Sequence, residues 1–204
     1  MYVSLTMDTS NNDIIISYAR RSVALSAEEG VAFGAAFKET RVKKRQFLIQ
    51  PNFTAKSRYF VISGALRAYV IGEDGQEHTI QLAIEEWWIS DYNSYITQQP
   101  ASMFVVAVED SVLLEITHEE ERRLKAGHHA CETFFRMLAE RSVAFMQRRI
   151  ITNLTQSAEE RYESFMERYA VFTSRFPQYV IASYLGMTTE FLSKIRNQRV
   201  KPKS

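Results

Sequence analysis

Six residues near the end of the 204-residue chain carry the chemistry that stands out: Thr188, Thr189, Glu190, Ser193, Lys194 and Arg196, with Arg199 just beyond. Spacings of three and four put side chains on one face of a helix. Hydroxyl, carboxylate and cationic groups gathered near a helix start are what a helix needs to meet the edges of base pairs. From Pro177 onward the cations are Lys194, Arg196, Arg199, Lys201 and Lys203 against Glu190 alone, while the whole chain has a net charge of only +1. Such a tail adds phosphate affinity without sequence preference.

That face must be held by a second helix. Pro177 suits a helix start, since its missing N–H would be unpaired there. Ile181, Tyr184 and Leu185 form an apolar stripe, and Gly186 ends the helix where positive φ is needed. Thr188 or Thr189 caps the next helix, whose inner face is Phe191, Leu192 and Ile195. Ala182, four residues before Gly186, lets two helices cross closely over a short turn. The spacing therefore predicts a helix-turn-helix, against the plainer reading of a helical hairpin with a solvated face.

Other chemistry is scarcer. His128-His129 lacks the i, i+4 spacing that puts two ligands on one helix face, so no metal is expected. Glu119-Glu120-Glu121 reads as the exposed first turn of a short helix. Cys131 reads as a buried thiol, and with no second cysteine it can form neither an internal disulfide nor a cysteine-ligated iron–sulfur cluster. Phosphate-loop, nucleophile-elbow and dinucleotide motifs do not occur, so neither an enzyme nor a cofactor is expected. A composition of 46% apolar and 24% charged residues, no run of eighteen apolar residues and no secretion signal point to a globular cytoplasmic protein without a membrane span.

The segments that must position the site follow in order. Residues 1 to about 12 are polar and expected to be mobile. Ile14 to Val23 and Ser26 to Phe37 read as short helices, the second opened by the capping box Ser26-Ala-Glu-Glu29. Lys43 to Gln50, Arg58 to Ser63, Ala65 to Ile71 and Glu77 to Ala83 read as strands, with a hairpin at Asp74-Gly75. Phe104 to Val108 and Ser111 to Ile116 read as a second hairpin turning at Glu109-Asp110. Closely spaced strands imply a β-sandwich or barrel.

A long helix is predicted over Ala130 to Leu154. It bears one stripe of Phe135, Ala139, Val143, Met146, Ile150 and Leu154, and beside it Phe134, Leu138 and Phe145. Two stripes must bury surface in two directions. The second is assigned to a homodimer contact with another copy of the helix. Ser157-Ala-Glu-Glu160 caps the helix that opens the C-terminal unit. The divisions fall at 1–127, 128–154 and 155–204.

This order resembles the Crp/Fnr family of transcription regulators, in the form common in Bacteroidetes. The residues that carry the likeness are 59–69, Glu77-His-Thr-Ile-Gln81, 85–91, Gln147-Arg-Arg149, Ser157-Ala-Glu-Glu-Arg-Tyr162 and 177–196. The resemblance implies an α+β fold: a cyclic-nucleotide-binding-like β jelly roll with N-terminal helices, a long dimerisation helix and a C-terminal helix-turn-helix. It also implies double-stranded DNA as partner, a small-molecule effector and a contact with RNA polymerase, with base reading at Thr189, Glu190 and Lys194. Members that bind a cyclic nucleotide carry Gly-Glu and, about ten residues on, Arg before a small residue. Residues 84–102 contain neither glycine nor arginine, so cyclic AMP is not expected by those contacts. Trp87, Trp88, Tyr92 and Tyr95 offer either a more apolar effector pocket or packing between the β-domain and the long helix. A rival reading notes that the chain ends within nine residues of Ile195, leaving no β-hairpin wing. It makes the last helices a contact for a protein partner.

Overall fold

The computed structural model describes residues 11–200, with the backbone alone at 199 and 200. Two helices lead: α1 (Asn11–Arg20) and α2 (Ala27–Ala35). Ser26 caps α2 through the reciprocal box with Glu29. The strands are β1 (Lys38–Val42), β2 (Phe47–Ile49), β3 (Ser57–Ser63), β4 (Leu66–Ile71), β5 (Glu77–Ala83) and β6 (Trp88–Ile89). Helix α3 (Tyr92–Thr97) separates them from β7 (Phe104–Ala107) and β8 (Ser111–Thr117). Then come α4 (His118–Gly127), the long α5 (His129–Thr155), α6 (Ala158–Tyr169), α7 (Phe172–Arg175), α8 (Gln178–Tyr184) and α9 (Thr189–Val200).

The strands form two antiparallel sheets, ordered β1-β8-β3-β6 and β2-β7-β4-β5. Between them Val61, Leu66, Ala68, Val105 and Leu113 make the sandwich interior. Strand β3 is buried on both faces, because Phe60 on its outer side packs on Tyr18 and Trp88 in a core shared with Phe33, Phe134 and Phe135 of the helices. A third core gathers Phe165, Phe172, Ile181 and Leu192 of the C-terminal unit around Ala65 and Leu82 of the β-domain.

The jelly roll, the Asp74–Gly75 hairpin between β4 and β5, and both capping boxes appear as expected. Two strand readings need correction. Lys43 to Gln50 is not one strand: Lys43 to Gln46 turns, with Arg45 at φ 70°, and Asp110 holds the turn through the Lys44 N–H and the Lys43 ammonium. Nor do β7 and β8 form a hairpin, since β7 pairs with β2 and β4 while β8 pairs with β1 and β3. The chain changes sheets there, as it does at Gly64, and the two corners pack together. The Val108 N–H donates to the Ala65 carbonyl at 2.7 Å. Gly64 has φ +106°, and a Cβ on it would lie 2.1 Å from Ser111 Oγ, so no side chain fits.

On α5 the residues assigned to the dimer contact face inward, as does Phe135 at the head of the other stripe. Phe134 is 2% exposed, ringed by Tyr18, Phe33 and Trp88, and Leu138 packs on the same core. Phe145 meets Trp87 edge-on. These three face the protomer's own body and are not free for a partner helix. Roughly half a turn away, Val143, Ile150 and Leu154 are 67%, 59% and 80% exposed. Glu121 also departs from expectation. It is buried, not solvated, and pairs at 2.7 Å with buried Arg58, which lies against the faces of Trp88 and Phe135. Cys131 is buried as expected.

Candidate nucleic-acid interface

Helices α8 and α9 are joined by a tight turn at Gly186, whose φ of +67° is in the left-handed region. Ala182 is buried at the crossing, and Leu192 and Ile195 seal the inner side of α9. Thr188 Oγ1 accepts the Phe191 N–H at 3.2 Å and so caps α9. Pro177 is the residue flanking α8 on its N-terminal side, one place before the first helical position.

The outer side of α9 carries the predicted set. Thr188, Glu190, Lys194 and Arg196 are exposed, while Thr189 and Ser193 are half-buried. Gln178 at the start of α8 reaches across, donating to Ser193 Oγ and accepting from Arg196 Nη1 at 3.3 Å. Glu190, Ser193, Lys194, Asn197 and Gln198 together line a shallow depression. Asn197 and Gln198 are additions to the predicted set. They lie three and four residues beyond Lys194, and that spacing was the available signal. The Arg199 side chain, Lys201 and Lys203 lie outside the described residues.

The unit is fixed to the β-domain through the edge of a sheet. Strand β5 is an edge strand, and its free backbone groups would otherwise need water or another strand. Ser183 of α8 supplies what a strand would: its Oγ accepts the Thr79 N–H at 2.8 Å and donates to the Glu77 carbonyl at 2.7 Å. Arg149 of α5 donates to the carbonyls of Thr79, Ile80 and Tyr184, with its guanidinium 4.1 Å from the centre of the Tyr184 ring. Buried Arg67 of β4 extends the network through Thr79 Oγ1 at 2.8 Å and pairs with Glu77. Farther along, Arg175 clamps both Glu85 and Glu109. These two carboxylates, Glu109 first, hold the Arg175 guanidinium above its usual range. Burial pushes Glu85 upward, but Arg175 and the Gly64 N–H outweigh it and leave its carboxyl below the ordinary range.

The four aromatics offered as an effector pocket do not converge on one cavity. Trp87 packs edge-on against Tyr169 and Phe172 of the C-terminal unit. Trp88 packs on the other side against Phe37, Phe60 and Phe135. Tyr95 is fully buried, donating to Glu121 at 2.7 Å, and Tyr92 stacks on it. Packing is thus the role the structure gives both tryptophans and Tyr95, because each ring is already surrounded by neighbours.

Asp91, in the window where a cyclic phosphate would be held, is fully buried. Its carboxylate accepts N–H bonds from Ser94, Ser102 and Met103 at 2.8 to 3.1 Å. These backbone donors are thus engaged by an internal anion. A different opening lies at the end of the sandwich: a cavity of about 310 Å³ reached by Tyr59, Ser57 and Glu115. There the Glu115 carboxylate accepts from Ser57 at 2.6 Å and Thr40 at 2.9 Å. None of these residues was singled out from sequence, since Glu115 looks like any exposed position of an alternating strand.

Among the described residues no helix is long and apolar enough to cross a membrane, and no group of three or more His, Cys, Asp or Glu side chains is placed to hold a metal ion. Comparison with known proteins agrees with this architecture. Residues 39–128 match the family model of the cyclic nucleotide-binding domain. No curated protein matches the chain by sequence. Among solved structures, FixK2 from Bradyrhizobium japonicum is 16% identical, with 79% of this chain and 83% of that one covered, at a TM-score of 0.67. A protein from Eubacterium rectale described as a regulator of the Crp/Fnr family is 19% identical, covering 86% and 84%, at 0.66. A CooA variant from Carboxydothermus hydrogenoformans is 19% identical, covering 83% and 78%, at 0.65. With a match to the cyclic nucleotide-binding domain at residues 39–128 and a helical C-terminal unit docked on the sheet edge, the chain has the fold of a Crp/Fnr-type regulator.

Proposed function

We propose that the protein is a dimeric transcription regulator that binds duplex DNA through α9. The observation that carries this reading is the division of that helix. Leu192 and Ile195 are sealed inside, while Glu190 and Lys194 stand exposed on the side opposite the core. Lys194 donates to guanine and Glu190 accepts from the amino group of cytosine. Ser193 and Arg196, both held by Gln178, are preorganised at the flank. Thr188 and Thr189 sit at the helix start, where N–H groups and hydroxyls meet phosphate.

The second copy joins along α5 through Val143, Ile150 and Leu154, whose exposure a single protomer leaves uncovered. Two α9 helices then enter successive major grooves about 34 Å apart. An effector of the β-domain acts through β5, because Ser183 and Arg149 tie that strand to α8, and Arg175 ties Glu85, just beyond it, to α7. Cyclic AMP is not that effector by the contacts usual in such domains, since residues 84–102 contain neither glycine nor arginine.

The test is a mobility-shift series on a selected site. Lys194→Ala weakens specific binding by roughly 1–3 kcal/mol and relaxes base preference at one position. Unchanged specificity removes Lys194 from base reading.

A further inference from the structure

The open end of the sandwich holds a carboxylate whose charge nothing balances. Side chains alternate along β8, and Glu115 shares the inward side with Leu113 of the sandwich interior. Ser57 donates to one Glu115 oxygen at 2.6 Å and Thr40 to the other at 2.9 Å. A hydroxyl that gives its hydrogen to a carboxylate keeps only lone pairs. Ser57 Oγ and Glu115, which both line the cavity, therefore offer it acceptors. Hydroxyls satisfy the oxygens but leave the negative charge uncompensated, an unfavourable state for a half-buried group. Lys38, opposite Glu115 on β1, and Lys56, on the cavity lining, are exposed. Among the described residues no cation forms an ion pair with Glu115. Tyr59 lies opposite it on β3; burial, and after it the Glu115 charge, push the phenol up, so Tyr59 adds no second anion. The cavity is about 310 Å³, at the lower end of the range for small-molecule clefts, roughly 300–1,000 Å³. Its other walls are apolar: Leu48, Ile49 and Ala55, with Phe53 beside them, 69% exposed. None of residues 84–102, the window of the cyclic phosphate, lines it.

An ammonium group supplies what this end lacks: a positive charge and three N–H donors for the lone pairs. An apolar body suits the Leu48, Ile49 and Ala55 wall, and an aromatic one also gains from the uncovered ring of Phe53. We propose that this cavity binds a small primary amine with an aromatic body, an arylalkylamine in chemical class. Its ammonium donates to Glu115 and to Ser57 Oγ, and its ring packs on Phe53. The same carboxylate repels a phosphate, so a nucleotide is the wrong ligand for this end of the sandwich. Use of the amine as the regulator's effector rests on the function proposed above; its binding does not.

The experiment is calorimetric titration of the full-length protein, free of DNA, with 2-phenylethylamine, tyramine, 2-phenylethanol and phenylacetate. At least one of the two amines binds in the micromolar range, while the neutral alcohol and the anion each bind at least tenfold more weakly. Glu115→Gln keeps an acceptor for the hydroxyls but removes the charge, and it loses at least tenfold in affinity for the amine, as expected when a charge-assisted hydrogen bond is lost. Phe53→Ala also weakens the amine, several-fold. Should Glu115→Gln melt early, Phe53→Ala, altered at a side chain that is 69% exposed, carries the test alone. The proposal is overturned if neither amine binds below millimolar concentration. It is equally overturned if the alcohol or the anion binds as tightly as the amine, or if either variant, while still folded, keeps full affinity. Because DNA is absent, a failed search for a DNA site leaves this result untouched.

Discussion

Thr79 and Ser183, 104 residues apart in sequence, meet as two strands would: the Thr79 N–H donates to Ser183 Oγ at 2.8 Å. A hydroxyl on a helix thus completes the edge of a β-sheet, and the C-terminal unit is positioned by that completion. Ser183→Ala leaves the buried Thr79 N–H and the Glu77 carbonyl without their partner. The expected cost is about 1–3 kcal/mol of docking stability. Hydrogen exchange reads it directly: the Thr79 amide exchanges faster while amides in β3 do not change. Equal protection in the variant would mean that docking does not depend on this serine.

Arg175 provides a second tie, and its pH dependence has a definite sign. The Glu85 carboxyl is held below its ordinary value of 4.5, so the fold favours the charged form. The stabilisation is therefore present above about pH 4.5 and is lost as pH falls through the lower value of the folded state. Glu85 is 40% exposed in its side chain, so solvent screens the pair and its worth is about 1 kcal/mol. Arg175→Met lowers the urea midpoint at pH 7 and loses that disadvantage in strong acid. A difference that stays constant across the range would show that the charges are irrelevant to it.

Much of this arrangement was legible in the chain because it is local. Capping boxes at Ser26 and Ser157, the turn at Gly186 and the Asp74–Gly75 hairpin each depend on residues a few positions apart. What escaped depends on distant partners. Periodicity shows that α5 has two apolar stripes but not which one the body covers; that follows from Phe33 and Trp88, far off in sequence. The β7–β8 corner looks like a hairpin until Ala65 is seen to hold it. Glu121 reads as solvated because its partner Arg58 lies on another strand. Ser183 and Arg149, the residues that seat the C-terminal unit, look like an ordinary polar position and an ordinary basic one.

The uncovered stripe of α5 predicts an association. Ile150→Glu with Leu154→Glu changes two residues that are already 59% and 80% exposed, so the protomer itself changes by no more than about 0.5 kcal/mol. Sedimentation velocity shows a dimer for the native chain and a monomer for the variant, with the same melting of the β-domain. Phe134→Ala acts in the opposite way, destabilising the protomer by about 3–5 kcal/mol through a core cavity. A variant pair that remains dimeric would place the interface elsewhere.

Cys131 is sealed under the N-terminal helices, and burial pushes its thiol up to about 11, with Glu29 adding to the effect. Iodoacetamide at pH 7.5 leaves it unmodified in the native protein and alkylates it fully in urea, as read by intact mass. Rapid native labelling would mean that α1 and α2 open readily.

Selection of bound sequences from random duplex DNA tests the role of α9 most directly. The native protein enriches a two-fold-symmetric site with half-sites one helical turn apart, and Lys194→Ala loses the preference at one base pair of each half. Retention that depends on salt but not on sequence, unchanged by Lys194→Ala, would contradict it.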